Sequence, residues 1–181
     1  MPRKTTPEAL WVFGYGSLIW NPEFPVAEAC IARLPGWRRS FCMRSIHHRG
    51  TVAAPGLVLA LDQSPAAQCD GVAFRVEPGA EAATIAALRE RELISSAYLE
   101  RHLPVDLARG GRVEALAFVI DPDHAQYCGG LPLEEQARII AAAVGGRGSN
   151  RDYLLTTATH LAGLGIADAD LNWLSARVQA F

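Results

Sequence analysis

The placement of turn dipeptides divides this chain into two differently built parts, and no other feature of the sequence constrains its fold as strongly. Before residue 80 the apolar runs are short and are cut by Pro35-Gly36, Pro55-Gly56 and Ser64-Pro65. Glycine and proline end regular structure, the first by admitting left-handed backbone, the second by removing a donor. The stretches between them, residues 10–14, 37–43, 57–62 and 71–76, read as strands. Residues 79 to about 91 then turn helical, with Ile85 and Leu88 on one side and alanine at most other positions. Two further strands are expected over 97–106 and 113–120, with Gly110-Gly111 as the hairpin signal between them.

The last third is helical. Pro132 suits a first helical position, and Glu134 and Glu135 suit the positive end of the helix dipole. That helix stops near Gly145-Gly146. Ser149 or Asn150 caps the next, which runs through Tyr153 to Leu161 and ends near Gly163; Asp168 caps a final one. Strands and helices do not alternate, which excludes a doubly wound parallel sheet. The expected class is α+β: a small, mostly antiparallel β-barrel with surrounding helices. At 181 residues the chain suits a single domain, taken as residues 10–181 after a flexible tail over 1–9.

Composition narrows the function. Half the residues are hydrophobic and one fifth charged, which excludes a disordered or fibrous chain. The net charge is -2 and the arginines are scattered, so no nucleic-acid partner is expected. No apolar run approaches the roughly 18 residues of a membrane span, so no membrane partner is expected either. Gly14-Tyr15-Gly16-Ser17 interrupts the first apolar stretch too early for a signal peptide, and a cytoplasmic location is expected. Cys30, Cys42, Cys69 and Cys128 form no Cys-x-x-Cys pair; they are read as packed thiols, with no metal and no cofactor.

Phe13-Gly14-Tyr15-Gly16-Ser17-Leu18 carries an apolar strand into two glycines. Such a turn lets backbone approach a ligand, and its N–H groups can form an anion-binding nest. It equally suits a structural strand end. Ile19 stands where a dinucleotide fingerprint needs glycine, no Gly-Lys-Ser/Thr follows, and Tyr15 and Ile19 exclude a nucleophile elbow. Ser45-Ile46-His47-His48-Arg49-Gly50 places adjacent histidines on opposite faces of any strand, unsuited to one metal.

Arg89-Glu90-Arg91-Glu92 ends the expected helix. Such charges ordinarily form a solvated face. Glu92 differs because Leu93 and Ile94 follow, where the chain is expected to re-enter the sheet. A carboxylate in apolar surroundings has a raised pKa, which suits a general base. Gly148-Ser149-Asn150-Arg151-Asp152-Tyr153 opens a helix whose N–H groups can hold a carboxylate or simply be capped.

Taken in order, these segments resemble the ChaC family of glutathione-degrading γ-glutamylcyclotransferases, from Trp11 to about Leu155. Trp11-Val12-Phe13-Gly14-Tyr15-Gly16-Ser17-Leu18-Ile19-Trp20 is similar to the family's opening signature nearly residue for residue. His48-Arg49-Gly50 with Pro55-Gly56, then Gly71-Val72-Ala73-Phe74-Arg75, Arg91-Glu92, Tyr127, Gly130-Leu131-Pro132-Leu133 and the run from Gly148 to Leu154 continue the series. Leu57 stands where the family usually has arginine and His47 where it usually has aspartate; Leu-Ile-Ser-Ser-Ala-Tyr after Glu92 replaces a sequence like Lys-Gly-Gly-Tyr.

The resemblance implies cleavage of glutathione to 5-oxoproline and Cys-Gly without a cofactor. It places Glu92 as general base, and Tyr15, Gly16, Ser17, Leu18 and Tyr153 as substrate-binding residues. Two other readings stay open on the sequence: action on other γ-glutamyl amino acids or amines, and a non-catalytic protein that binds γ-glutamyl ligands.

Overall fold

The computed structural model describes residues 8–94 and 96–181; most of the tail expected over 1–9 lies outside the described residues. Strands β1 (Trp11–Gly14), β2 (Val26–Ser45), β3 (Gly56–Val76), β4 (Tyr98–Leu107) and β5 (Arg112–Ile120) close into a barrel in the order β1-β3-β2-β4-β5. The seam is the parallel pairing of β1 with β5, where Trp11 faces Ala115 and Val12 faces Leu116. The other pairings in the barrel are antiparallel. Helix α1 (Glu81–Glu92) connects β3 to β4, and α2 (Leu133–Ala142), α3 (Asn150–Gly163) and α4 (Ala169–Gln179) follow the barrel. Between α2 and α3 lies a two-residue-per-strand hairpin, β6 (Val144–Gly145) and β7 (Gly148–Ser149). The architecture is α+β, as the order of elements implies.

The long strands differ from their sequence reading. Pro35-Gly36 and Ser64-Pro65 look like strand ends, yet both lie inside β2 and β3. Pro35 pairs with Gln68 and Trp37 with Gln63, so residues 64–67 bulge out opposite Gly36, whose φ is +84°. A bulge is where a sheet tolerates proline, because the donor it lacks is not needed there. Beyond the bulge, β2 continues back to Val26 with Ala32 and Leu34 buried between exposed neighbours. Period-two burial supplied by so few large side chains is a weak sequence signal.

Two layers of core position the site. Trp11 and Phe13 on β1 join Leu34, Leu57, Leu59 and Leu61 in the larger cluster, which also takes Leu154 and Leu161 of α3 and Leu171 and Leu174 of α4. Val12 turns the other way, with Leu116 and Phe118 of β5, to meet Leu88 of α1. Full burial of Leu88 contributes roughly 1.5–3 kcal/mol and seats α1 over the β1–β5 seam. No helix among the described residues is long and apolar enough to cross a membrane.

Candidate active site

Strand β1 ends at Gly14 because little else fits: a Cβ there would lie 3.0 Å from Phe74 and 3.2 Å from the Leu18 Cβ. The chain turns through Tyr15 and Gly16 into a single 3-10 turn, Ser17–Ile19, closed by the Ile19 N–H donating to the Gly16 carbonyl at 3.0 Å. The N–H groups of Gly16, Ser17 and Leu18 precede that bond and have no acceptor among the described residues.

This loop is held from two sides. The Arg39 side chain is only 4% exposed; its Nε donates to the Tyr15 carbonyl at 2.7 Å, its Nη2 to the Asp70 carbonyl, and its Nη1 to Asp168 Oδ2 at 2.9 Å. Asp168 caps α4 with its other oxygen, accepting from the Leu171 N–H at 3.0 Å. On the opposite side, Arg91 Nη2 donates to Ser17 Oγ at 2.9 Å and Nη1 to the Asn21 carbonyl at 2.7 Å.

Glu92 is the last residue of α1, beside Arg91, whose Nε stands 3.4 Å from Glu92 Oε1. Its side chain is 17% exposed, whereas Glu90 faces solvent. Burial raises the Glu92 pKa above the ordinary carboxylate value, and the positive charges of Arg91 and Arg147 pull it back in part. The apolar surroundings do not come from Leu93-Ile94 as expected: Ile94 is 76% exposed, and Leu93 packs against the cluster under α1. The chain re-enters the sheet only at Tyr98, and the pocket wall of aromatic rings provides the low dielectric.

Three tyrosines form that wall. Burial raises the Tyr15 and Tyr98 pKa values well above 10 and that of Tyr153 to about 12, so all three are phenols with a proton to donate. Tyr15 donates to the Phe118 carbonyl at 3.3 Å. Tyr98 donates to the Leu59 carbonyl at 3.1 Å, while Tyr153 Oη accepts from the Leu59 N–H at 3.3 Å. Leu59 needs these partners because the register slips between Ser40 and Met43, which pair with Ala60 and Val58, leaving Leu59 between them outside the ladder. Both backbone groups of that bulge are satisfied by side chains. Because Tyr153 Oη accepts from Leu59, its own proton is free to point into the pocket.

Tyr153 is placed by the start of α3. Ser149 Oγ caps the helix through the Asp152 N–H at 3.0 Å. Buried Asn150 bonds both backbone groups of Leu57, Oδ1 accepting from N–H and Nδ2 donating to the carbonyl, each at 2.7 Å. The polar side chains that open α3 thus cap and anchor the helix.

The pocket is lined by Tyr15, Gly16, Ser17, Leu18, Glu92 and Tyr153, with Phe13, Leu59, Tyr98 and Phe118. Every site residue named from the sequence lies on it, although those residues come from a strand end, a helix C-terminus and a helix N-terminus far apart in the chain. Tyr98 and Arg39 were missed. Arg39 left a signal: in an apolar strand, adjacent Arg38 and Arg39 cannot both face solvent. Tyr98 left none, since its partner is a bulge created by tertiary pairing.

The family model described as ChaC-like protein matches residues 10–181. The glutathione-specific γ-glutamylcyclotransferase of Escherichia coli K12 is 38% identical over 170 residues, covering 94% of this chain and 73% of that protein. γ-Glutamylcyclotransferase 2-1 of Arabidopsis thaliana is 40% identical over 152 residues, 80% of this chain and 70% of its own. The human glutathione-specific γ-glutamylcyclotransferase 1 is 34% identical over 155 residues, 84% and 69% respectively. Among solved structures, the yeast γ-glutamyl cyclotransferase specific to glutathione shares the fold, with a TM-score of 0.85 at 23% identity over 95% of this chain and 96% of that one.

Proposed function

The chain belongs to the ChaC-like family, and from that premise we propose that residues 10–181 form one domain that degrades glutathione to 5-oxoproline and Cys-Gly, with Glu92 as general base. The observation that carries the reading is the one carboxylate among the described residues that line the pocket, with a raised pKa, sharing that lining with Gly16, Ser17 and Leu18, whose N–H groups have no acceptor among the described residues.

The chemistry is internal to the substrate. The α-amine of the γ-glutamyl group attacks its own γ-carbonyl, a carbon–nitrogen bond closes a five-membered lactam, and the carbon–nitrogen bond to cysteine breaks. Nucleophile and electrophile belong to one molecule, so no metal or nucleotide has a step to perform. The protein's task is to fold the γ-glutamyl chain into attack geometry, which contributes about 7–11 kcal/mol when complete.

An α-amine has a reference pKa of about 8 and is largely protonated at neutral pH. Two protons leave that nitrogen on the way to the lactam: Glu92 takes the first and releases it to solvent, then carries the second from the attacking nitrogen to the departing cysteine nitrogen. A raised pKa brings the carboxyl nearer the working pH, where one group can serve in both directions. The N–H groups of residues 16–18 face the oxyanion that forms on the γ-carbonyl; each well-placed donor is worth about 3 kcal/mol. The Tyr153 hydroxyl donates to the substrate from the facing helix. Arg91 positions Glu92 and Ser17 relative to each other through the bonds described above.

A cytoplasmic setting suits this reading, since all four cysteines are free thiols. The experiment is direct: purified protein is incubated with glutathione and 5-oxoproline is quantified by chromatography. Release of 5-oxoproline and Cys-Gly in equal amounts supports the proposal. Saturable binding of glutathione without turnover would replace it with a binding function.

A further inference from the structure

Beyond the pocket that holds the γ-glutamyl end, two arginines stand side by side without an acidic partner. Arg49 is half-buried; its Cζ lies 5.4 Å from the centre of the Tyr153 ring, and its Nη1 donates to the Ser149 carbonyl at 3.2 Å. Its Nε and Nη2 have no acceptor among the described residues. Arg147 is exposed, and its side chain has no hydrogen bond or ion pair among the described residues. Among the described residues, ten other arginines form ion pairs; Arg44, Arg101 and Arg151 do not, and Arg49 and Arg147 differ from these in lying close enough for each charge to act on the other beside the pocket wall.

The backbone fixes where these charges sit. The β6–β7 turn is bonded to residues 47 and 48: Gly146 N–H donates to the His47 carbonyl at 2.7 Å and Arg147 N–H to the His48 carbonyl at 2.9 Å. A Cβ on Gly145 would come within 2.5 Å of Gly50 N, so the two segments touch at the backbone. Arg49 and Arg147 are thereby presented by two rigidly joined loops, one against the Tyr153 wall of the pocket and the other with its field reaching Glu92. Burial lowers the Arg49 pKa, and the like charge of Arg147 lowers it further; nearby Asp152 works in the opposite direction but pairs with neither. Positive charges held together in this way and left unneutralised constitute an anion site.

Resting on the glutathione reading, we propose that Arg49 and Arg147 bind the glycine carboxylate of the departing Cys-Gly and so select glutathione over γ-glutamyl compounds that lack a charge there. The γ-glutamyl amine must lie at Glu92, and its carbonyl at residues 16–18. The remainder of the substrate therefore runs outward past Tyr153. Its carboxylate sits two residues beyond the scissile bond, a reach of about 7 Å in extended chain. Arg49 lies over the ring of Tyr153, a residue that lines the pocket. The guanidinium fork matches a carboxylate with two parallel donors.

The test compares glutathione with its glycine monoethyl ester, which keeps the reacting atoms and removes only that charge. For the unmodified protein, kcat/KM for glutathione should exceed that for the ester by roughly 10- to 100-fold, mostly through KM. In Arg49→Met the preference should fall toward one, and in Arg147→Met, a surface change that removes no contact, by about 2- to 5-fold. Arg49→Lys should restore part of it, which a purely structural role of Arg49 would not produce. Equal kcat/KM for glutathione and ester in the unmodified protein would overturn the proposal while leaving the cyclotransferase reading intact. The same holds if both methionine variants retain the full preference. Absence of 5-oxoproline from either compound would instead remove the reading on which the proposal stands.

Discussion

Replacing Glu92 with glutamine separates proton transfer from everything else the residue does. The amide has the same shape and can still meet Arg91 at the end of α1, but it cannot accept a proton. Loss of a general base costs about 10²–10⁴ in kcat, or roughly 2.7–5.5 kcal/mol of transition-state stabilisation; one group serving both transfers puts the loss at the upper end. Stability should move the other way. The folded-state pKa of Glu92 is raised, so the folded protein holds this proton more tightly than the unfolded chain does. That contribution is full below the ordinary carboxylate pKa and is lost as pH rises through the raised value. Near pH 7 the ionised, buried carboxylate is therefore a cost that glutamine avoids. Glu92→Gln should melt no lower than the unmodified protein at pH 7–8, and any difference should shrink on acidification below about pH 4. The assay is 5-oxoproline release under saturating glutathione, with circular dichroism melts at three pH values. Glu90→Gln, on the solvent side of the same turn, should behave as unmodified protein. A Glu92→Gln variant that keeps kcat within about threefold would refute the mechanism, and an inactive Glu90→Gln beside an active Glu92→Gln would move the base to the wrong face of α1.

Arg91→Met should shift the acid limb of the kcat profile to higher pH, because Arg91 holds the Glu92 pKa down and its loss lets the carboxyl rise further; a limb that stays or moves down contradicts the coupling. The same variant should lose about tenfold or more in kcat at the optimum, as Ser17 and Asn21 lose their tether. Gly16→Ala should fold and retain much of its activity, since the added Cβ would lie 3.6 Å from Tyr153 Oη, an ordinary contact. Gly16→Val adds two methyl groups beyond that point and should depress kcat/KM by a large factor with little change in melting temperature; near-normal kcat/KM would make the loop a structural turn. Asn150→Ala strands both backbone groups of buried Leu57 at about 1–3 kcal/mol each, so its melting temperature should drop by about 5–15 °C.

Local chemistry alone determined a good part of this protein. The order of strands and helices followed from where glycine and proline interrupt apolar runs. The caps at Ser149 and Asp168 followed from short polar side chains ahead of helical segments. Glu92 is preferred to Glu90 because apolar residues follow it and because Arg91-Glu92 matches the family pattern. All of these depend on residues within one or two turns of each other. What the fold alone decided involves partners far apart in the chain. Pro35-Gly36 and Ser64-Pro65 are breaks in isolation but a matched bulge once β2 and β3 pair, because each excuses the other's missing ladder bonds. The residue that shapes the pocket wall, Leu59, is unremarkable in sequence; its backbone is free to bond Tyr98 and Tyr153 only because the register slips opposite it. Arg39 became a buried fastener of the Tyr15 loop because Asp168, 129 residues away, meets it there. Periodicity reports which face of an element is apolar, but the pairing partner of each face is set by chain closure over long distances, and that is written in no single segment.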